Sequence, residues 1–531
     1  MPSHRSIGDY EPVTPLRRAP LYEEGAWGDA PARATPGGEG PGGAEGDEAR
    51  QPPDAPPGAE PAGAPAGRRA KRALPERWDT RRGHLLSFLG LFLFTFILYY
   101  RPYEQVSFLA SFTSMAFWTA AATLAVFVPA QISLEGTLTA RPREVNLVLL
   151  FGLTALLSIP LALNRGEAWD TFVEPFSKAL LMFLVIVNTV RTMRRLRWML
   201  FLGISVGCVL SVAALSDYRQ GLLTVEGYRV QGSIGNLFGN PNDMATHLVT
   251  VIPVAVALLF IARGAKKLVY AACLFLLVGG MMVTYSRGGF LGLLAAGAVL
   301  AWKLGRRNRL AVMGLLLAAV VLMTLLAPGG YSTRMISIYN TGLDPVGSAG
   351  ARKELLILSV VTALRHPLFG VGMGNFHIIS IHEAVTHNSY TQVASEMGLA
   401  ALALYTLFLV TPFRRLARIE RATVRSGHGS DFYYLAVGLQ ASLAAYMVCS
   451  FFGAIAYQWY VYYLVGYAVA LRRVYAASDE ARGAVAETSG AEAAPADAGG
   501  EADDDGPAPG RAGAGRCVVV YDAESARTLS A

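Results

Sequence analysis

The chain has 531 residues, of which 53% are hydrophobic and only 16% are charged, and its mean hydropathy is +0.36. Soluble domains carry about a quarter charged residues, so this composition excludes an ordinary soluble protein and indicates a membrane protein. The net charge of +7 does not predict nucleic-acid binding, because the Lys and Arg residues lie in short runs between apolar segments, as topology signals do.

The two ends of the chain differ in composition from the middle. Residues 1–83 are rich in Pro, Gly, Ala and Glu and finish in a basic stretch, and residues 476–531 are rich in Ala, Gly, Glu and Asp. This composition is typical of disordered segments. We therefore predict two disordered cytoplasmic tails on either side of a polytopic membrane domain at residues 84–475. The four cysteines form no CxxC pair and indicate neither a disulfide framework nor a zinc site.

About twelve apolar runs of roughly spanning length lie between the tails. They fall near residues 85–100, 112–130, 146–163, 174–190, 197–215, 243–262, 267–285, 288–303, 309–327, 395–412, 432–453 and 456–472. The sequence therefore predicts an all-α polytopic membrane protein with about twelve transmembrane helices.

Flanking charges predict the orientation of these runs. Arg and Lys cluster in every second connection, for example at Arg414, Arg415 and Arg418, whereas the alternate connections are poor in them. Under the positive-inside rule, both termini are cytoplasmic and a large loop at residues 328–394 faces outward. Basic residues in outward connections are exceptions to this rule, so each of them needs a reason.

Two outward arginines precede the large loop. Arg287 stands at a glycine turn between two runs, where it is either a snorkelling side chain or a forked, permanently charged phosphate ligand. Arg229 lies in a Gly/Asn/Ser-rich segment that is either an ordered re-entrant loop or a plain connector. Asn240 follows, directly before Pro241, where it can cap the next helix.

The large loop carries the other candidates. Arg352 precedes leucines at helical spacing, which predicts an amphipathic surface helix whose N-terminal end favours an anion; a solvated surface charge is the alternative. His387 can act as a general base near neutral pH, or serve as a cap or interface residue. Asn388 and Glu396 share one helical face, with Glu396 about two turns deep in the tenth run.

The same loop contains a glycine motif, with Gly372 and Gly374 followed by Asn375. This motif is not a dinucleotide fingerprint, because no strand and helix frame it as a βαβ unit requires. No metal-ligand spacing stands out in the sequence. We therefore predict neither a metal site nor a cofactor.

Taken in order, these motifs resemble the O-antigen ligase / O-antigen polymerase superfamily of membrane glycosyltransferases. The matching stretches are Gly239–Asn242, Thr284–Gly289, Arg352, Pro367–Phe376, His387–Asn388 and Glu396–Gly398. The resemblance implies a GT-C-type fold in the bacterial cytoplasmic (inner) membrane. It also implies metal-independent transfer of a glycan from an undecaprenyl-diphosphate carrier to an acceptor hydroxyl at the outer face. Lipid A core, a carrier-linked glycan and a protein are the acceptors within the superfamily.

The resemblance also implies roles for individual residues. We expect His387, Arg287 and Arg352 to be catalytic. The expected substrate-binding residues are Arg229, Asn240, Gly372, Gly374, Asn388 and Glu396. The alternative function is a secondary transporter of a small anion. Transporters place ionisable residues near the bilayer midplane, however, whereas this cluster is predicted at the outer boundary.

Overall fold

The computed structural model is helical through most of the chain. It describes residues 83–105, 107–234, 237–306, 308–339, 348–380, 383–426 and 430–492. Most of both predicted tails lies outside these ranges. No β-sheet forms in the described part, where a single bridge pairs Val225 with Arg229. The prediction of an all-α protein is confirmed.

Eighteen α-helices form within the described ranges. They are α1 Leu85–Tyr100, α2 Pro102–Gln105, α3 Met115–Glu135, α4 Arg143–Ser158, α5 Arg165–Thr171, α6 Lys178–Thr189, α7 Met193–Arg219, α8 Pro241–Ile261, α9 Ala265–Val283, α10 Arg287–Gly305, α11 Arg309–Leu326, α12 Tyr331–Ile336, α13 Ser348–Arg365, α14 Phe376–Ile379, α15 Ser389–Met397, α16 Leu399–Ser426, α17 Ser430–Cys449 and α18 Trp459–Glu492. Three of them, α12 to α14, lie within the large loop, which is predicted to contain short helices, and α15 begins in it.

Nine helical runs in the described residues are long and apolar enough to cross a bilayer. They are Leu85–Glu104, Met115–Glu135, Arg143–Leu161, Met193–Arg219, Pro241–Ile261, Ala265–Val283, Arg287–Gly305, Leu399–Arg425 and Asp431–Cys449. Each overlaps one of the twelve predicted runs. A polytopic membrane protein is therefore confirmed, while the count of twelve stays a prediction.

The three remaining predicted runs coincide with α6, α11 and α18. Helix α6 has only 12 residues, because a π-helical segment interrupted by Pro175 precedes it. Helix α18 has 34 residues, and its many tyrosines lower its hydropathy. It also continues to Glu492, past the domain boundary predicted at residue 475.

The tenth predicted run is divided by Gly398. Helix α15 ends at Met397 and α16 begins at Leu399. Gly398 has a φ of +89°, and a Cβ there would lie 2.4 Å from the carbonyl oxygen of Leu368. Only glycine fits this backbone. Glu396 therefore lies at the end of the short helix α15, not two turns inside a transmembrane helix as predicted.

Helices α8 and α17 form the centre of the bundle, since 78% of the apolar window of each is buried. Small residues bring the helices together. A Cβ at Gly438 of α17 would lie 2.9 Å from the carbonyl oxygen of Pro253 in α8, and one at Gly292 of α10 would lie 2.4 Å from Cys449 Sγ in α17. Close backbone approach of this kind maximises van der Waals contact between helices in a membrane.

Close packing between α7 and α9 yields a stability prediction. A Cβ at Gly280 in α9 would lie 2.7 Å from the Cα of Ser211 in α7, so Gly280→Ala should destabilise the protein by roughly 1–3 kcal/mol through overpacking. The measurement is the Tm of the purified protein in detergent. Gly297→Ala in α10 is the matched control, because no described atom lies within 4 Å of its Cβ position. Equal Tm values for the two variants would contradict this packing.

Candidate functional site

One cavity lies at the end of the bundle where α10, α13 and α15 begin. Its volume is about 270 Å³. It is lined by Arg287, Leu291, Ser337, Ile338, Arg352, Lys353, Leu356, Thr386, His387, Asn388, Phe451 and Phe452. The structure thus brings together four predicted site residues from segments that are far apart in the sequence: Arg287, Arg352, His387 and Asn388.

The turn between α9 and α10 presents Arg287 to this cavity. Ser286 is the N-cap residue of α10, and its Oγ accepts a hydrogen bond from the Gly289 amide at 3.2 Å. Arg287 is therefore the first residue of α10, where the helix dipole favours an anion. Its Nη1 donates to Ser337 Oγ at 3.2 Å, which ties the guanidinium to the segment after α12.

Arg229 lies behind this turn and is not among the residues that line the cavity. It is only 3% exposed. Its Nε donates to the Thr284 carbonyl oxygen at 2.9 Å, and its Nη2 donates to Asn242 Oδ1 at 2.9 Å. Ser286 Oγ donates to the same Asn242 oxygen at 2.8 Å. Arg229, predicted to bind substrate, thus holds the turn that carries Arg287.

The carboxylate of Glu226 holds Arg229 in place and so also supports the turn that carries Arg287. Glu226 lies 3.5 Å from Arg229 Nη1 and 3.5 Å from Arg334 Nη2, and Tyr228 Oη donates to it. Burial raises the pKa of Tyr228 to about 12, so its hydroxyl keeps the proton that it donates. Our sequence reasoning missed this cluster, since Arg334 lies far along the chain from the other three residues.

Arg352 reaches the cavity from the second turn of α13. Leu355, Ser359 and Thr362 of this helix are buried at helical spacing, whereas Ile357 and Leu364 are exposed. The predicted helix is therefore present, but its buried face is not the predicted leucine stripe, since Leu364 is exposed and two of the buried residues are polar. Its orientation places Arg352 and the adjacent Lys353 on the cavity wall.

His387 enters the cavity from the segment before α15. Its φ is +52°, a left-handed conformation that costs energy for any residue except glycine. Its neighbours hold this geometry. Thr386 Oγ1 donates to the Asn388 carbonyl oxygen at 3.1 Å. Asn388 Oδ1 caps α15 by accepting from the Tyr390 amide at 2.9 Å.

The surroundings of His387 keep its imidazole neutral. Burial lowers the pKa of His387 below its ordinary value of 6.5, and the positive charge of Arg352 lowers it further. Within the described part of the chain, no hydrogen bond joins the imidazole to another residue. At neutral pH a ring nitrogen is therefore available to accept a proton.

The glycine motif supports the site from outside the cavity lining. Gly372 and Gly374 have φ values of +104° and +76°. A Cβ at Gly372 would lie 2.3 Å from Ala162 Cβ, and one at Gly374 would lie 2.5 Å from Thr171 Oγ1. These glycines let the loop pack against the segments around α5. In the structure both glycines are needed for this close packing. Their predicted contact with the substrate stays a prediction.

Glu396 joins the glycine loop to α15 through a hydrogen bond. Its Oε2 accepts from the Gly374 amide at 2.9 Å and from Tyr457 Oη at 2.8 Å. Burial raises the pKa of Glu396 to about 7, although both hydrogen bonds act in the opposite direction. Glu396 does not line the cavity, so its contact with the site runs through the glycine loop and α15.

Asn240, the last of the predicted substrate-binding residues, has a structural role. Asn240 caps α8, because its Oδ1 accepts from the Asn242 amide at 2.8 Å. Two further histidines belong to the large loop: His366 is exposed, and His377 Nε2 lies 3.1 Å from Glu167 Oε1. Neither histidine lines the cavity. Among the described residues, no three His, Cys, Asp or Glu side chains gather where they could hold a metal ion.

Sequence reasoning missed several residues of the cavity wall. Phe451 and Phe452, from the connection after α17, are the largest of them. Phe452 packs on the turn of Arg287, since its Cβ lies 3.0 Å from the Cβ position of Gly288. An aromatic pair at the end of the predicted run 432–453 was the available signal, but it does not reveal which turn the pair contacts.

Residues 272–406 match the sequence profile of the family described as O-Antigen ligase. The resemblance to the O-antigen ligase superfamily is confirmed. The matched segment contains Arg287, Arg352 and His387 of the cavity wall, whereas Arg229 precedes it. No curated protein matches the chain. The chain is thus a multi-pass membrane protein with a segment similar to the O-Antigen ligase family.

Glu396 should make the stability of this membrane protein depend on pH. Its pKa is about 7 in the folded protein, against an ordinary 4.5, so folding favours the protonated form. The contribution of Glu396 to stability is therefore fully present below pH 4.5 and is lost as the pH rises through 7. Glu396→Gln keeps an oxygen acceptor and should lose this dependence, which is on the order of 3 kcal/mol.

The measurement is the Tm of both proteins across this pH range. Glu354→Gln is the control, since Glu354 is an exposed carboxylate on α13, and it should keep the wild-type slope. Parallel curves for wild type and Glu396→Gln would show that the folded protein does not favour the protonated side chain.

Proposed function

We propose that the protein transfers a glycan from an undecaprenyl-diphosphate carrier to an acceptor hydroxyl at the outer face of the bacterial cytoplasmic membrane. In this proposal residues 84–475 form the membrane domain, the loop at 328–394 faces outward and both termini are cytoplasmic. One observation carries the proposal: Arg287, Arg352 and His387 line a single cavity, and none of its described lining residues is acidic.

Positive charge in the cavity suits a diphosphate. Arg287, Arg352 and Lys353 contribute two guanidinium groups and one ammonium group to its wall. When the bond between the anomeric carbon and the phosphate oxygen breaks, negative charge grows on the diphosphate. Cations held in place beforehand stabilise that charge without having to reorganise. Arginine adds a forked donor set that matches phosphate oxygens.

Apolar side chains in the same wall suit a lipid carrier. Leu291, Leu356 and Phe451 line the cavity, and Phe451 is 49% exposed. The isoprenoid chain would lie along these side chains in the membrane, while its diphosphate reaches the arginines. A small soluble anion has no apolar chain that could contact these side chains.

His387 acts as the general base. The acceptor hydroxyl gives its proton to a ring nitrogen of His387, and its oxygen forms a bond to the anomeric carbon. The bond from that carbon to the diphosphate oxygen breaks, and its electron pair leaves with the diphosphate. This single displacement inverts the anomeric configuration. The lowered pKa of His387 keeps the imidazole unprotonated before the reaction.

The acceptor is lipid A core, a carrier-linked glycan or a protein hydroxyl, and the described lining residues favour none of these. The alternative of a secondary transporter has less support. Its ionisable residues would lie near the bilayer midplane, whereas the cavity residues lie where α10, α13 and α15 begin.

Loss of the base or of one arginine should abolish glycan transfer. We expect His387→Ala and Arg287→Ala each to lower the rate by at least about 100-fold. The assay uses the purified full-length protein in nanodiscs, an undecaprenyl-diphosphate-linked glycan and each acceptor class in turn, with products identified by mass spectrometry. His366→Ala is the matched control, because His366 is exposed and outside the cavity lining. Wild-type rates in both cavity variants would contradict the assigned roles.

The electrostatic link between Arg352 and His387 predicts a shift in the pH profile. Activity should rise with pH along an acid limb below pH 6.5, as the lowered pKa of His387 requires. Arg352→Gln should lower the rate and also move this limb to higher pH, because the positive charge that opposes protonation is removed. Arg352→Lys keeps a positive charge and should keep the limb near its wild-type position.

The profile is that of kcat/KM, which reports ionisations of the free enzyme. A limb that stays in place in Arg352→Gln would mean that His387 is not the titrating group. The position of the limb is independent of the overall rate, so a slow variant still gives a clear result.

A further inference from the structure

A second cavity lies at the other end of the bundle. Its volume is about 290 Å³, and it is lined by Arg415, Arg418, Ile419, Ala422, Arg472 and Tyr475. Helix α16 begins at Leu399, next to α15 and the first cavity. At a rise of 1.5 Å per residue, Arg418 lies about 29 Å further along this helix. The two cavities are therefore separated by about the thickness of a hydrocarbon core.

Three helices change from apolar to charged at the level of this second cavity. Charged residues follow Phe413 in α16 and Leu471 in α18, and α4 begins with Arg143 and Glu144. Glu144 is fully buried and joins the three helices. Its carboxylate accepts from Arg472 at 2.5 and 3.1 Å and from Arg415 at 3.2 Å. The cavity thus lies at the boundary between apolar and charged surface, where lipid headgroups are found.

The second cavity carries unbalanced positive charge. Three arginines line it, and none of its described lining residues is acidic. The Glu144 carboxylate is already paired with Arg415 and Arg472. Glu420 of α16 is engaged elsewhere, with Lys303 Nζ at 2.5 Å and Gln440 Nε2 at 3.0 Å. Among the described residues, Arg418 has no acidic partner.

We propose that this cavity binds the headgroup phosphate of an anionic phospholipid. Arginine side chains provide forked donors for phosphate oxygens, and basic cavities between transmembrane helices at the membrane surface are suited to such headgroups. The apolar part of the wall, Ile419, Ala422 and Tyr475, would contact the glycerol and the upper acyl chains. Phosphatidylcholine also presents a phosphate, but the same arginines repel its choline group.

The test compares lipid binding by the full-length protein and two arginine variants. The wild-type protein is reconstituted in nanodiscs of equal parts phosphatidylglycerol and phosphatidylcholine, extracted in mild detergent, and its retained lipid is measured by mass spectrometry. We expect enrichment of phosphatidylglycerol, and a higher Tm than in pure phosphatidylcholine nanodiscs. Arg418→Gln should lower the retained phosphatidylglycerol by about fivefold. It leaves the contacts of Glu144 intact, so the variant should fold.

Arg421→Gln is the matched control, since Arg421 is exposed on the same helix but does not line the cavity. It should retain wild-type amounts of phosphatidylglycerol. Equal losses in both variants would overturn the proposal in favour of diffuse surface charge, and so would equal retention of the two lipids by the wild type. An equal rise in Tm with inorganic phosphate in pure phosphatidylcholine nanodiscs would also overturn it, because the site would then bind a soluble anion.

Discussion

A guanidinium group next to an apolar helix bundle needs oxygen acceptors, because an unpaired charge there costs several kcal/mol. Both ends of this bundle are organised by that constraint. At one end, Arg229 is buried against the Thr284 carbonyl and Asn242. At the other, Arg472 is held by the buried carboxylate of Glu144. In each place the paired arginine fixes helices or turns, and a cavity lined by further arginines lies beside it.

The pairing of Arg229 has a direct consequence for Arg287. Asn242 Oδ1 accepts hydrogen bonds from both Arg229 and Ser286, so one oxygen joins the connection before α8, the first turn of α8 and the N-cap of α10. A displacement of any of these elements would move the first residue of α10. Residues outside the cavity lining therefore determine where its cations lie, and a residue can matter to the site without contacting the substrate.

Hydropathy patterns predicted much of the fold, because bilayer thickness sets the length of the apolar runs in the local sequence. The orientation that the flanking charges indicate stays a prediction. Arg287, Arg352, His387 and Asn388 could be proposed because polar residues are exceptional among apolar runs. Which of the candidates lines a cavity could not be predicted from residue type: Arg229 and Arg287 are both arginines in connections predicted to face outward, and only long-range hydrogen bonds distinguish them. The helix break at Gly398 likewise depends on the Leu368 carbonyl, which the spacing of the tenth run does not reveal.

The two halves of the proposed site depend on each other electrostatically. Arg352 on α13 lowers the pKa of His387, which precedes α15, so in the empty cavity the base is held in its neutral form. A diphosphate bound at Arg352 would offset that positive charge with its own negative charge. The affinity of His387 for a proton would then rise as the donor binds. The base would thus be unprotonated before the donor arrives and strongest once the glycan is in place, so donor binding would itself prepare the proton transfer.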